Sequence, residues 1–312
     1  MNVLILLNKS RKTAYVQQPP SYLIPDKPKV GPEPQLREPE PQPKRETVPE
    51  FVKVPKFREI NEDSVYADVL NHSKDRPFGD QHGRSTNVHE TGHGIHSYLR
   101  NGYTRELGKR VNGFYCFDGR GAIIEEPNMR ISHIRRFIPE NLRSYRYKLY
   151  LVDQARSWGD MPLYIYDEWV AYVLGGTSNV DDVKQGRHNG KWSDGVSGCL
   201  GFSIYAVATC MAVKEHDPEY WENNKQFRNF TIWMLRKANE TYKMGRRMEQ
   251  FKWEKQDKLL NELLTSSSAE PMRRFMLENL EGVWLDAQPV VNERYLPHQR
   301  RELRAKGCSC IH

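Results

Sequence analysis

The chain has 312 residues and a mass of 36.6 kDa, enough for two average domains or one large one. Seven Trp, sixteen Tyr and eleven Phe exclude wholesale disorder, although charged residues reach 28% and the mean hydropathy is −0.78; a folded body with a polar appendage is implied. The 47 Lys and Arg against 40 Asp and Glu, net +7, argue for a mild attraction to acidic partners and against a dedicated nucleic-acid surface.

Cys116, Cys199, Cys210, Cys308 and Cys310 are an odd, scattered set, which fits a reducing compartment better than a disulfide framework. The apolar run Val3 to Leu7 is too short for a secretion signal and has no basic residue before it. A cytoplasmic protein, or one carried inside an assembled particle, is therefore expected, with no membrane span.

Taken in order, residues 1–57 read as an extended arm. Eleven of the nineteen prolines lie between Pro19 and Pro55, mixed with both signs of charge. Such a stretch lacks an apolar face and backbone donors, so it is extended or disordered in isolation, or lies along a protein partner. The body runs from residue 58 to about 290, and a tail of 291–312 ends in Cys308-Ser309-Cys310 and a terminal histidine.

Within the body, a helix is expected around Ser85 to Arg100, with Asn87, Ser85 or Thr86 as its cap. Phe114 to Ile124 reads as a hairpin turning at Asp118-Gly119. A second helix starts at Pro139 and puts Leu142, Tyr145, Leu149 and Val152 on one face. A third spans about Tyr166 to Leu174 and stops at Gly175-Gly176. Cys199 to Val213 is largely apolar, but it contains Gly201, Ser203 and Thr209 and is shorter than the ~18 residues that span a bilayer, hence a buried core helix. A long helical region covers about 222–264, with Phe230, Met234, Ala238 and Tyr242 as its apolar stripe. The fold class is α+β and helix-rich.

The chemistry concentrates in the first of these helices, where His89-Glu90-Thr91-Gly92-His93 has the H-E-x-x-H form. Residues four apart are neighbours on a helix, so both imidazoles can converge on one ion. Zinc suits them, since a catalytic zinc takes three protein ligands and keeps the fourth position for water. Glu90, beside the first ligand, is placed to accept that water's proton as general base. His96 is too far along to join them: seven residues rise about 10.5 Å, whereas two nitrogens on one zinc lie ~4 Å apart. It packs, or orients a neighbour.

His89, Glu90, Gly92 and His93 resemble the HExGH form of the zincin metallopeptidases. The metzincin branch is excluded, because its Gly and His positions hold His96 and Leu99 here. The segment Glu168-Trp169-Val170-Ala171 looks like the downstream glutamate helix of gluzincins, nearest to the lethal-factor-like form, and this resemblance implies Glu168 as third ligand. Asp167, Glu125, Glu126 and His133 compete for that role. The interval from His93 to Glu168 is longer than gluzincins usually have, which implies an insertion. The tyrosine that lethal-factor-like enzymes carry two turns before the ligand is Met161 here, leaving Tyr166, Tyr172 or Tyr164 to donate to an oxyanion.

The function implied is a zinc-dependent metallopeptidase acting on a protein or peptide, through zinc-activated water. The alternative is a structural or assembly component of a large complex such as a virus particle, which uses the arm to bind neighbours and keeps a zincin-like domain that need not be active. The basic runs at 135–148 and 243–258 interleave with aromatics, a mixture that can hold nucleic acid but more simply forms the solvated side of helices.

Overall fold

The computed structural model describes residues 47–76, 78, 83–190 and 192–286; the arm up to residue 46 and the tail 291–312 lie outside them. The observed class is helix-rich α+β. Eight α-helices, α1 (Val65–Asn71), α2 (Arg84–Leu107), α3 (Tyr164–Lys184), α4 (Gly195–His216), α5 (Pro218–Asn223), α6 (Lys225–Gly245), α7 (Glu254–Thr265) and α8 (Glu270–Asn279), accompany a small sheet of β1 (Val52–Lys53), β2 (Val111–Tyr115) and β3 (Arg120–Glu125) among the described residues.

The core forms around α4, which is apolar on every side and therefore has no face to offer water. Its residues from Gly195 to Cys210 are all buried. Among the described residues it is the one helix long and apolar enough to cross a membrane, and 94% of its apolar window is inside the protein. Helix α3 packs on both α4 and α2, and this is where the expected stop fails. It runs through Gly175-Gly176 to Lys184, because these glycines serve close approach. A Cβ on Gly175 would lie 3.1 Å from the Ser85 carbonyl oxygen, and one on Gly176 only 3.0 Å from the Gly195 carbonyl oxygen and from Cys199 Sγ. The pair admits the starts of α2 and α4 to one side of α3.

The hairpin forms in antiparallel register from Val111 opposite Glu125 to Tyr115 opposite Gly121. Its loop is wider than a two-residue turn: Phe117, Asp118 and Gly119 all have positive φ, and Cys116 N–H donates to the Arg120 carbonyl at 2.8 Å. β1 pairs with β3, Val52 opposite Gly121, so residues the composition groups with the arm belong to the sheet, and Val54 is 1% exposed. Phe114 stacks on Phe230 of α6 and meets the edge of His96 on α2, locking the sheet under the helix that carries the histidines.

The helix expected from Pro139 does not form. A short 3-10 turn at Glu140–Leu142 leads to a π-helical turn at Tyr147–Asp153. Leu142 enters the core, but Tyr145 and Leu149 are exposed, while Arg146, Tyr150 and Leu151 are buried. The Arg146 guanidinium donates to Asp194 Oδ2 at 2.5 Å, the Asp194 carbonyl at 3.1 Å and Ser197 Oγ at 3.1 Å. A buried charge with its partners in place overrides an apolar stripe. The neighbouring cations also have partners: Arg135 donates to the Leu151 carbonyl, Arg143 to that of Ile138, and Lys148 pairs with Asp153 at the surface. The region 222–264 is broken at Asn224, whose side chain caps α6, and between α6 and α7; the stripe Phe230, Met234, Ala238 and Tyr242 is buried as expected.

One half-buried carboxylate couples the hairpin to α3. Glu126 accepts from Leu163 N–H at 2.8 Å and from Asn112, and burial, only partly offset by these bonds, pushes its pKa up to about 7. A raised carboxyl favours folding most when protonated, so stability present below about pH 4.5 is lost as pH rises towards 7, by at most about 1.4 kcal/mol per pH unit. Glu126→Gln keeps an acceptor for Leu163; chemical denaturation at pH 5 and pH 8 should show a smaller difference for the variant than for the wild type.

Candidate metal centre

Helix α2 begins after Gly83, with no side-chain cap. The three expected capping residues lie in its first turn instead: Ser85 Oγ donates to the Gly175 carbonyl at 3.0 Å, and buried Asn87 donates to Tyr66 and accepts from Thr91. Val88, Gly92, Ile95 and Leu99 are buried, fixing the helix by its apolar side. Gly92 is needed there, since a Cβ would come within 2.9 Å of Leu174 on α3. The opposite side presents His89, Glu90 and His93 to a cleft of about 510 Å³ that Glu168 also lines.

His89 Nε2 and His93 Nε2 are 3.2 Å apart, and each is 3.8 Å from Glu168 Oε2. A triangle of these sides has a point about 2.1 Å from all three corners, the length of a zinc–imidazole or zinc–carboxylate bond. Glu168 is prepared for such a ligand: Oε1 accepts from Tyr164 OH at 2.9 Å, while Oε2 is buried with no hydrogen-bond partner. An orphaned carboxylate oxygen facing two imidazole nitrogens calls for a positive charge between them, which a metal ion supplies, or in its absence a protonated imidazole. The three residues therefore fit a metal ion.

Asp167, weighed in the sequence only as a competing ligand, lies behind the site. Its Oδ1 is 2.5 Å from His93 Nδ1 and 2.8 Å from His96 Nδ1, and Arg100 donates to Oδ2 at 3.3 Å. This carboxylate orients His93 so that Nε2 faces Glu168. His96 is fully buried and acts through Asp167, as its distance along the helix requires. A second grouping of His93, His96 and Asp167 is thus a hydrogen-bonded support that shares one imidazole with the first.

The protonation states follow from these contacts. Burial, helped by the charge of His93, holds His89 down to about 3. Burial also opposes a charge on His93, but the hydrogen bond and charge of Asp167, with Glu168 and Glu90, outweigh it and hold His93 up at about 9. Burial resists the Asp167 charge too, and the His96 and His93 rings overcome it, keeping that carboxyl well below the usual range. Burial raises Glu168 more than His93 and Tyr164 lower it. Without a metal, these shifts favour the proton on His93 over His89.

Glu90 is exposed and borders both this cleft and an adjoining one of about 200 Å³. Tyr166 is not in either. It stands two residues before Glu168, about 200° round the helix, fully buried with its hydroxyl 2.9 Å from Thr231 Oγ1 and 3.3 Å from Cys210 Sγ. Tyr172, four residues after Glu168, sets its ring edge on His89 with centroids 4.7 Å apart, and its hydroxyl is 3.5 Å from Asp194. It steadies His89. The phenols that border the main cleft are Tyr164 and Tyr150; Tyr164, at four residues before Glu168, was legible from helical spacing, whereas Tyr150 arrives on the π-helical turn. Glu125, Glu126 and His133 take no part in either grouping.

No family model, curated protein or solved structure matches the chain.

Proposed function

We propose that the protein is a zinc-dependent metallopeptidase of zincin-like, gluzincin-like type, hydrolysing peptide bonds. The observation that carries this reading is the convergence of His89 Nε2, His93 Nε2 and the orphaned Glu168 Oε2, with Glu90 on the rim of the same cleft. His89, His93 and Glu168 hold the ion, and two imidazoles with one carboxylate are a donor set that zinc accepts. Zinc, when bound, supplies a Lewis acid that polarises the scissile carbonyl and acidifies water. Glu90 takes the proton from the attacking water and returns it to the departing amine nitrogen, so the C–N bond breaks with no net proton consumed. Tyr150, which borders both clefts beside His89 and Glu90, replaces Tyr166 as the phenol assigned to the developing oxyanion.

The test is hydrolysis of a random peptide mixture, followed by mass spectrometry. Cleavage that a chelator abolishes and added zinc restores is the expected result; a zinc-containing protein that leaves every peptide intact contradicts the reading.

A further inference from the structure

The cleft continues past the ligand triad along α2. His93, Gly94, Ser97 and Arg100 line it in that order, and the floor between His93 and Arg100 is low: a Cβ at Gly94 would meet nothing within 4 Å, and Ser97 is small. The far wall is aromatic, Trp158 stacked flat on Tyr164 with centroids 4.4 Å apart. Arg100 is the only Lys or Arg among the described lining residues. One of its nitrogens is held by Asp167, which fixes the side chain. The side chain is 28% exposed, and among the described residues Asp167 is the guanidinium's one hydrogen-bond partner.

Resting on the peptidase reading, we infer that Arg100 takes a carboxylate of the substrate, about three residues from the bond presented to the ligand triad. The spacing comes from the seven residue steps from His93 to Arg100, which rise about 10.5 Å along the helix, against about 3.4 Å per residue of an extended peptide. A planar guanidinium anchored at one nitrogen offers its remaining donors to a carboxylate in a fixed plane. The carboxylate is either the peptide's C-terminus or an Asp or Glu side chain, and both have the chemistry the site reads. Arg100 is a specificity-determining residue on this account, and the stacked Trp158–Tyr164 wall takes the intervening apolar side chains.

The experiment uses zinc-supplied Glu90→Gln protein, which retains peptides without cleaving them, and three pools of random nonapeptides. One lacks Asp and Glu and ends in a free carboxylate, one lacks them and ends in an amide, and one is amidated but contains Asp and Glu. Peptides retained after ultrafiltration are identified by mass spectrometry. The expected result is retention of the first or third pool at least about tenfold above the second, lost when Arg100→Gln is added and partly restored by Arg100→Lys; which pool is retained tells the terminus from the side chain. Equal retention of all three, retention of none, or a preference that survives Arg100→Gln overturns the inference. Wild-type cleavage of the same pools is scored separately. Cleavage without an Arg100-dependent preference leaves the peptidase standing, whereas an Arg100-dependent preference without cleavage by zinc-containing wild type overturns the peptidase and keeps the carboxylate site.

Discussion

Glu90→Gln should lower kcat by about 10²- to 10⁴-fold, the range that a general acid–base contributes, while the protein keeps its zinc. Glutamine fills the same space at the exposed rim of the cleft but cannot carry a proton from water to the leaving amine. Glu90 supplies none of the three converging ligand atoms, so metal content is the control that separates lost chemistry from a lost site. Because the proton is shuttled in the transition state, KM should move far less than kcat. Steady-state kinetics on a cleaved peptide, with zinc measured on the same samples, checks this; a variant that retains wild-type kcat denies Glu90 its role.

The second large effect lies behind the ligands. Asp167→Asn should weaken zinc binding by about 10- to 100-fold at pH 9 or above, the usual consequence of removing a carboxylate that orients a ligating histidine. It should also change the pH dependence. In the wild type His93 is held at about 9, so at neutral pH the incoming ion must displace a proton, whereas His89, held down to about 3, yields none. Zinc affinity should therefore rise about tenfold per pH unit between pH 6 and 8 and level off near pH 9. Without the Asp167 charge the His93 pKa falls, and the steep range moves to lower pH. Competition against a chromophoric chelator from pH 5 to 10 measures both curves; a wild-type affinity flat from pH 6 to 9 contradicts the assigned proton.

The same sign governs stability. A histidine raised above its unfolded value stabilises the metal-free fold below about pH 6.5, and that contribution is lost as pH rises through about 9. Zinc takes over where the proton leaves. Stabilisation by added zinc should accordingly be larger at pH 8 than at pH 6.

How much of this is legible in the sequence depends on how local the determining contact is. The spacing of His89 and His93 is a property of one helix, and their nitrogens meet as four-residue spacing requires. The buried α4 and the stripe on α6 follow from apolar pattern in the same way. Gly175-Gly176 misleads because a helix stop and a close helix contact use the same residue, and only the approach of Ser85 and Gly195 distinguishes them. The Pro139 segment misleads because Arg146 is satisfied by Asp194, 48 residues away in sequence. Tyr166 and Tyr164 differ only in helical phase relative to Glu168, a distinction the sequence does contain. Asp167 is different: nothing local tells a ligand from a carboxylate that orients one, since its part is set by His93, His96 and Arg100 on a separate helix.

Whether His89, His93 and Glu168 hold zinc is measured by elemental analysis of the purified protein. Wild type, His93→Ala and Glu168→Gln are compared at equal concentration after zinc is supplied and chelators are avoided. About one zinc per chain is expected in the wild type, none in His93→Ala and a reduced content in Glu168→Gln. No zinc in the wild type, or a full complement in His93→Ala, would contradict the zinc site.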